Sequence, residues 1–300
     1  MARAAAVGYG ARFRPAAASP MPELPEVETI RRGLAARLEG HRLRRVDQRR
    51  PDLRQAMPAR LRQRLEGRRV ERLDRRAKYL LMRLDDGAVL ILHLGMSGRL
   101  LVGGKTAKPP DRHDHLILET DDGTVVRFND ARRFGLVDLT SEAELAGHKL
   151  FQGLGPEPLG NDFNGPVLAA SLAGKATPIK AALLDQKVVA GLGNIYVAES
   201  LFWAGLSPKR LARTVQGERA ERLAQAVRRV LSEAIEAGGS TLRDYVQASG
   251  ELGYFQHRFA VYDRAEQACP GCDCMLARTG GIRRIVQAGR STFYCPRRQR

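Results

Sequence analysis

Apolar positions follow two different periods along this chain. Val27, Ile30, Leu34 and Leu38 are spaced three and four apart with charged residues opposite, which predicts one amphipathic helix. Residues 41–73 are dense in Arg and predict a strand, a loop and a short helix. Alternating and continuous apolar runs then predict strands at 79–84 (YLLMRL), 88–94 (AVLILHL), 115–120 (HLILET) and 124–128 (TVVRF). Asp-Asp-Gly stands between runs at 85–87 and 121–123, and such turns favour hairpins. Residues 21–150 thus predict a β-rich domain carrying an N-terminal helix. Four Gly and three Pro among residues 151–166 (FQGLGPEPLGNDFNGP) predict an interdomain linker. Beyond it, over 167–260, the period is helical, with helices expected at 179–189, 194–204, 217–237 and 240–248. Short strands return over 261–300, so the fold class is α+β.

Composition narrows the function. Three hundred residues suit two domains, and 43% hydrophobic content excludes a disordered basic tail. The longest apolar run, Ala88 to Leu92, is far short of the roughly 20 residues a membrane helix needs, so no membrane partner is expected. A net charge of +17 points to a polyanionic partner. Only eight of the 50 basic residues are Lys; guanidinium suits bidentate phosphate contacts, and a GC-rich genome gives the same bias. Residues 1–20 are Ala-rich, with three Arg and no acid. They lack the apolar stretch of a secretory signal. A transit peptide and a start upstream of the true Met21 both remain open, and the segment is left out of the fold. All four cysteines, Cys269, Cys272, Cys274 and Cys295, fall in the last 32 residues. That favours a local metal site in a reducing compartment over a disulfide scaffold.

Chemistry is concentrated after Met21. Met before a small residue is normally trimmed, which would leave Pro22 with a free secondary amine able to attack an aldehyde-like carbon and form an iminium. The same nitrogen inside a peptide bond is an inert amide. On spacing alone, a Pro22-x-x-Pro25 pair that shapes a helix start is the simpler reading.

The run PELPEVETIRRGL (22–34) resembles the N-terminus of formamidopyrimidine-DNA glycosylases, bacterial repair enzymes for 8-oxoguanine and ring-opened purines. RRAKYLL (75–81), HLGMSG (93–98), HDH (113–115), ARRFG (131–135), GLGPEPL (153–159), GLGNIY (191–196) and GRSTFYCP (289–296) resemble that family in its order. Leu24 favours this branch over the related endonuclease VIII type, which has Gly there and prefers oxidised pyrimidines. The resemblance implies a β-sandwich-like N-terminal domain, a helix–two-turn–helix domain and a zinc-finger-like C-terminal hairpin. It implies a monomeric, bifunctional glycosylase and abasic-site lyase, acting on damaged double-stranded DNA in the bacterial cytoplasm, at the nucleoid.

Residue by residue, the resemblance makes Pro22 the nucleophile and Glu23 the acid, with Glu26 one turn away to orient the amine. Lys78 resembles the lysine assigned to β-elimination and Arg290 the arginine assigned to δ-elimination. Lys78 taken alone reads as a solvated strand-edge charge. Met96, Arg132 and Phe134 resemble the wedge that fills the hole left by a flipped base. His113, Arg132 and Asn194 are implied DNA contacts; His-Asp-His alone could equally suggest a metal. Lys180 aligns with a lysine near the damaged base. Ala176 stands where relatives often have a second Lys; either a phosphate contact is lost there or Lys175 replaces it. Residues 243–257 correspond to the loop over the flipped base. The metal pattern breaks: Cys269-x2-Cys272 is intact, but Arg298 stands where Cys295-x2-Cys is expected. Either one zinc binds Cys269, Cys272, Cys274 and Cys295, or the finger folds without metal; no organic cofactor is expected. Two rivals remain: an endonuclease VIII-like specificity, and a catalytically dead DNA binder if residues 1–20 bury Pro22 in an amide.

Overall fold

The computed structural model describes residues 21–104, 109–240, 253–272 and 276–300. Helix α1 (Leu24–Leu38) opens the fold, with Pro25 in its first turn. After it come β1 (Leu43–Gln48), the short α2 (Leu61–Leu65), β2 (Val70–Arg76), β3 (Tyr79–Leu84) and β4 (Ala88–His93). Strands β5 (Arg99–Gly103), β6 (Asp114–Thr120), β7 (Val125–Asn129) and β8 (Leu136–Ser141) complete this half. They form two antiparallel sheets, ordered β1-β6-β7-β5 and β2-β3-β4-β8. Both Asp-Asp-Gly turns close hairpins, β3–β4 and β6–β7. Val27, Ile30, Leu34 and Leu38 of α1 share one core with both sheets. The unbroken apolar run of β4 is explained by burial on two faces. Leu90 and Leu92 enter that core, while Val89 and Ile91 lie with Leu81 under Leu145, Leu150 and Phe151.

The second half is helical: α3 (Glu142–Leu145) joins it to the sandwich, then α4 (Gly165–Leu172), α5 (Ile179–Leu184), α6 (Asn194–Trp203) and α7 (Glu218–Glu236). Two expectations need correction. Gly165 and Pro166, counted with the linker over 151–166, are the first turn of α4, because the Asn164 side chain accepts from Val167 N–H at 3.0 Å. The helix expected over 179–189 ends at Leu184. There Gln186 takes over the chain: its amide donates to the Leu184 and Leu192 carbonyls and accepts from Gly191 N–H. From residue 241 on, the expected 240–248 helix lies outside the described residues.

The C-terminal segment contains α8 (Leu276–Thr279) and the hairpin β9 (Arg283–Gln287)–β10 (Arg290–Tyr294). Its apolar side, Ile282, Phe293, Cys269 and Cys295, packs on Ala198 and Phe202 of α6. No described helix is long and apolar enough to cross a membrane. Helix α1 belongs to two cores: Leu24 packs with the helical half, and the rest of its apolar stripe packs with the sandwich. The segment between Pro22 and Glu26 therefore lies where the two halves meet.

Candidate active site

Glu23 immediately precedes α1 and is only 2% exposed. Its Oε1 accepts from Ile195 N–H at 3.0 Å and its Oε2 from Tyr196 N–H at 3.3 Å. These are first-turn donors of α6 that have no partner inside their own helix. Gly193, just before α6, is what lets the carboxyl approach: a Cβ there would lie 2.3 Å from Glu23 Cδ. Burial pushes the Glu23 carboxyl from 4.5 up to about 7; the Lys78 charge opposes this and Glu26 adds to it. Near neutrality the group is poised between its two forms, as a proton donor requires. Glu26 is engaged elsewhere. It accepts from Glu23 N–H at 3.0 Å, from Tyr196 Oη at 2.5 Å and from Ser240 N–H and Oγ, both at 2.9 Å.

Lys78 occupies the tight β2–β3 turn, where Ala77 is left-handed at φ 51°. It is not a solvated edge charge but 5% exposed. Burial lowers its pKa, Glu23 opposes that and the Arg290 charge reinforces it. The turn is pinned from the far half by Glu157, which accepts from Arg75 at 2.8 Å, Arg76 at 2.7 Å and Ala77 N–H at 2.5 Å. Burial pushes Glu157 up, but these partners hold it below the usual carboxylate range. His93, at the end of β4, is lowered to about 4 by burial, then by Lys78 and Arg54, and so stays neutral; its Nδ1 accepts from Gly95 N–H.

Arg290 begins β10 and is exposed. Behind it, Lys180 of α5 donates to the Ser291 carbonyl at 2.8 Å and to Thr292 Oγ1 at 2.6 Å, and Asn194 Nδ2 donates to the same carbonyl at 3.0 Å. Burial lowers Lys180 to about 8, with Arg290 adding to the effect. Lys78 and Lys180 thus each feel the Arg290 charge and the buried Glu23 carboxyl, which suits an anionic substrate with an acid-labile bond.

The wedge candidates form a separate rim. Asp130, fully buried, accepts from Ser97 Oγ at 2.5 Å, Arg132 N–H at 3.2 Å and Gly135 N–H at 2.7 Å, and so joins the Met96 loop to the Arg132–Phe134 loop. Phe134 is 43% exposed, far from a core position, and the Arg132 guanidinium lies 4.9 Å from its ring centre. His113 is half-buried beside Arg112, whereas His115 is buried with Nε2 against the Asp130 carbonyl. Among the described residues the two histidines do not converge on a metal position. Lys175 lies half-buried on the α4–α5 loop.

Two family models match the chain: the formamidopyrimidine-DNA glycosylase N-terminal domain over residues 21–137, and the H2TH domain of the same enzymes over 154–246. The chain belongs to the formamidopyrimidine-DNA glycosylase family. It is 62% identical over 290 residues to the Rhodospirillum centenum formamidopyrimidine-DNA glycosylase, covering 93% of this chain and all of that one. The Rhodospirillum rubrum enzyme is 60% identical over 281 residues, with the same coverage. Among solved structures, the MutM (Fpg) protein from Thermus thermophilus superposes with a TM-score of 0.80 at 43% identity, covering 93% of this chain and 98% of that one. A Lactococcus lactis Fpg mutant bound to Fapy-dG-containing DNA gives a TM-score of 0.84 at 33% identity, covering 93% of this chain and all of that one.

Against the family's four-cysteine finger, this chain has three described cysteines, Cys269, Cys272 and Cys295, whose sulfurs all lie within 4.8 Å of one another. Cys269 and Cys272 Sγ are 3.3 Å apart, and Cys272 and Cys295 Sγ 3.6 Å. A tetrahedron with roughly 2.3 Å zinc–sulfur bonds has edges of roughly 3.8 Å, so these three fit three corners of a zinc site. Arg298 cannot be the fourth, because guanidinium has no lone pair to offer. Cys274 lies outside the described residues, as do residues 243–252 of the expected lesion loop.

Sequence reasoning missed Glu157, Asp130, His93 and Glu199. Glu199 is a buried α6 carboxylate that accepts from the N–H groups of Ala260, Val261 and Tyr262. Burial raises its pKa against those three donors. Weak signals existed for Glu157, inside GLGPEPL, and for His93, which opens HLGMSG; Asp130 and Glu199 are isolated acids with no local pattern.

Proposed function

We propose that this chain excises oxidised purines from duplex DNA and then cuts the abasic strand, with Pro22 and Glu23 as the reacting pair. In this reading the mature chain begins at Pro22. Its amine attacks C1′ of a flipped nucleotide, the N-glycosidic bond breaks, and the base leaves with the bonding pair, taking up the proton that the amine nitrogen gives up. Glu23 gives its proton to the sugar ring oxygen as the ring opens, leaving an iminium between Pro22 and C1′. The iminium acidifies the C2′ proton; its removal expels the 3′ phosphate, and a second elimination expels the 5′ phosphate. Lys78 and Arg290 serve these two eliminations, with positive charge facing the departing phosphates. His113, Arg132, Asn194 and Lys175 line the DNA path, Met96 and Phe134 fill the vacated stack, and Arg132 pairs with the orphaned base; Lys180, expected from the sequence as a DNA contact, is fully buried and instead holds the β10 backbone beside Arg290. Zinc, where bound, ties the finger ends together and takes no part in these steps.

The observation that carries this reading is Glu23. A carboxyl held near pKa 7 by burial at a helix N-terminus, adjoining Pro22 and within the field of Lys78, is arranged to donate a proton. Intact mass after borohydride reduction with an 8-oxoguanine duplex tests it, using protein expressed from its own upstream region. The expected product is an adduct on a chain starting at Pro22. An unmodified chain that retains residues 1–20 would leave only DNA binding.

A further inference from the structure

We infer that Arg298 is a positioning residue: a metal-independent clasp that replaces the missing fourth thiolate and holds the Arg290 hairpin in place. The inference rests on the DNA-processing role proposed above. In a four-thiolate finger, the last ligand ties the chain end to the first knuckle. Here Arg298 makes that tie by hydrogen bonding. Its Nη1 donates to the Gly271 carbonyl, in the knuckle between Cys269 and Cys272, at 2.8 Å, and its Nε donates to the Phe202 carbonyl at the end of α6 at 3.3 Å. The guanidinium also stacks against two rings, 4.9 Å from the centre of Phe202 and 5.7 Å from that of Trp203. One planar cation thus joins knuckle, chain end and α6, which an ammonium could not do with the same geometry.

The knuckle is shaped to receive it. A Cβ at residue 271 would lie 2.6 Å from Arg298 Nη1 and 2.9 Å from Cζ, so the glycine of Cys-Pro-Gly-Cys leaves the space that the guanidinium fills. Neighbouring ties run in the same direction without metal. Gln299 accepts from Cys295 N–H at 2.8 Å and donates to the Leu206 carbonyl at 3.0 Å, and Arg300 N–H donates to the Gly205 carbonyl at 3.1 Å. From the clasp, Cys295 leads directly into β10, whose first residue is Arg290.

The test uses the full-length, zinc-loaded protein before and after chelation. It reads affinity for a duplex with a non-cleavable tetrahydrofuran abasic analogue and hydrogen exchange of the β9–β10 amides. Wild type should keep its affinity within about twofold on chelation, with hairpin protection intact. Arg298→Ala should become metal-dependent, losing about tenfold in affinity when chelated, the scale of one hydrogen bond to a charged group. Gly271→Ala, which fills the guanidinium's space, should behave the same way and stands in if Arg298→Ala misfolds. Arg298→Lys should not rescue; Arg298→Cys should match wild type with zinc and fall like Arg298→Ala without it. A tenfold loss for chelated wild type would overturn the clasp, as would an Arg298→Ala protein that keeps wild-type affinity and hairpin protection after chelation. If untreated wild type fails to prefer the abasic duplex, the proposed function is at fault, and the exchange data still judge the clasp.

Discussion

Replacing Glu23 by Gln isolates what the buried acid costs the fold. An ordinary Glu in the unfolded chain ionises near 4.5, whereas burial places Glu23 at about 7. A group whose pKa is raised by folding leaves stability intact below its unfolded pKa and removes it as pH rises through the folded one. Between those limits the loss is about 1.36 kcal/mol per pH interval, or about 3 kcal/mol in all. Glu23 is fully buried, so solvent screening does not reduce the figure. Gln has the same shape but cannot ionise. It also puts an NH2 opposite one of the two α6 donors, a fixed penalty of about 1 kcal/mol that does not change with pH. The stability gap between Glu23→Gln and wild type should therefore move in the variant's favour by about 2.5 kcal/mol from pH 5 to pH 8. In urea unfolding followed at several pH values, the two curves should diverge mainly between pH 5 and 7. Parallel curves across that range would mean that the Glu23 carboxyl does not sit near 7, and the assignment of the proton donor would lose its basis.

The same ionisation predicts that excision of an intact 8-oxoguanine falls about tenfold per pH unit well above pH 7, while cleavage of a preformed abasic site does not follow that fall; coincident pH profiles would refute this. Gly193→Ala should displace Glu23 from Ile195 and Tyr196, since its Cβ would lie 2.3 Å from Glu23 Cδ. Excision should drop by about 100-fold or more while borohydride trapping on an abasic site persists, measured side by side. Glu157→Ala should leave Arg75 and Arg76 unpaired and free the Ala77–Lys78 turn. About 2 kcal/mol of stability should be lost in urea unfolding, with β-elimination slowed more than DNA binding.

Much of the sandwich was legible because β3, β4, β6 and β7 carry apolar runs bounded by turns, a signal local enough to read in one dimension. β2 was harder: its Val70 and Leu73 are buried among four Arg or Glu neighbours that alternate poorly. The start of α4 is ambiguous in the sequence because Gly165 and Pro166 mark both linkers and helix beginnings, and the Asn164 cap decides between them. Within the site, Glu23 and Lys78 stood in recognisable strings. Glu157 did not stand out, because its meaning lies in contacts some 80 positions away, with Ala77, Arg76 and Arg75. Asp130 and Glu199 likewise act through backbone N–H groups, which any sequence supplies.

Because α1 is packed into both halves at once, it constrains how the molecule can open around a duplex. Jaws that part by bending need a slack joint between them, but here a rigid rod with Leu24 rooted on one side and Ile30 and Leu34 on the other spans the gap. The halves can swivel about that rod more readily than they can separate from it. Glu23 and the α6 donors lie at its tip, on the axle. In the proton-donating role proposed for it, Glu23 would keep its geometry while the halves swivel about that rod.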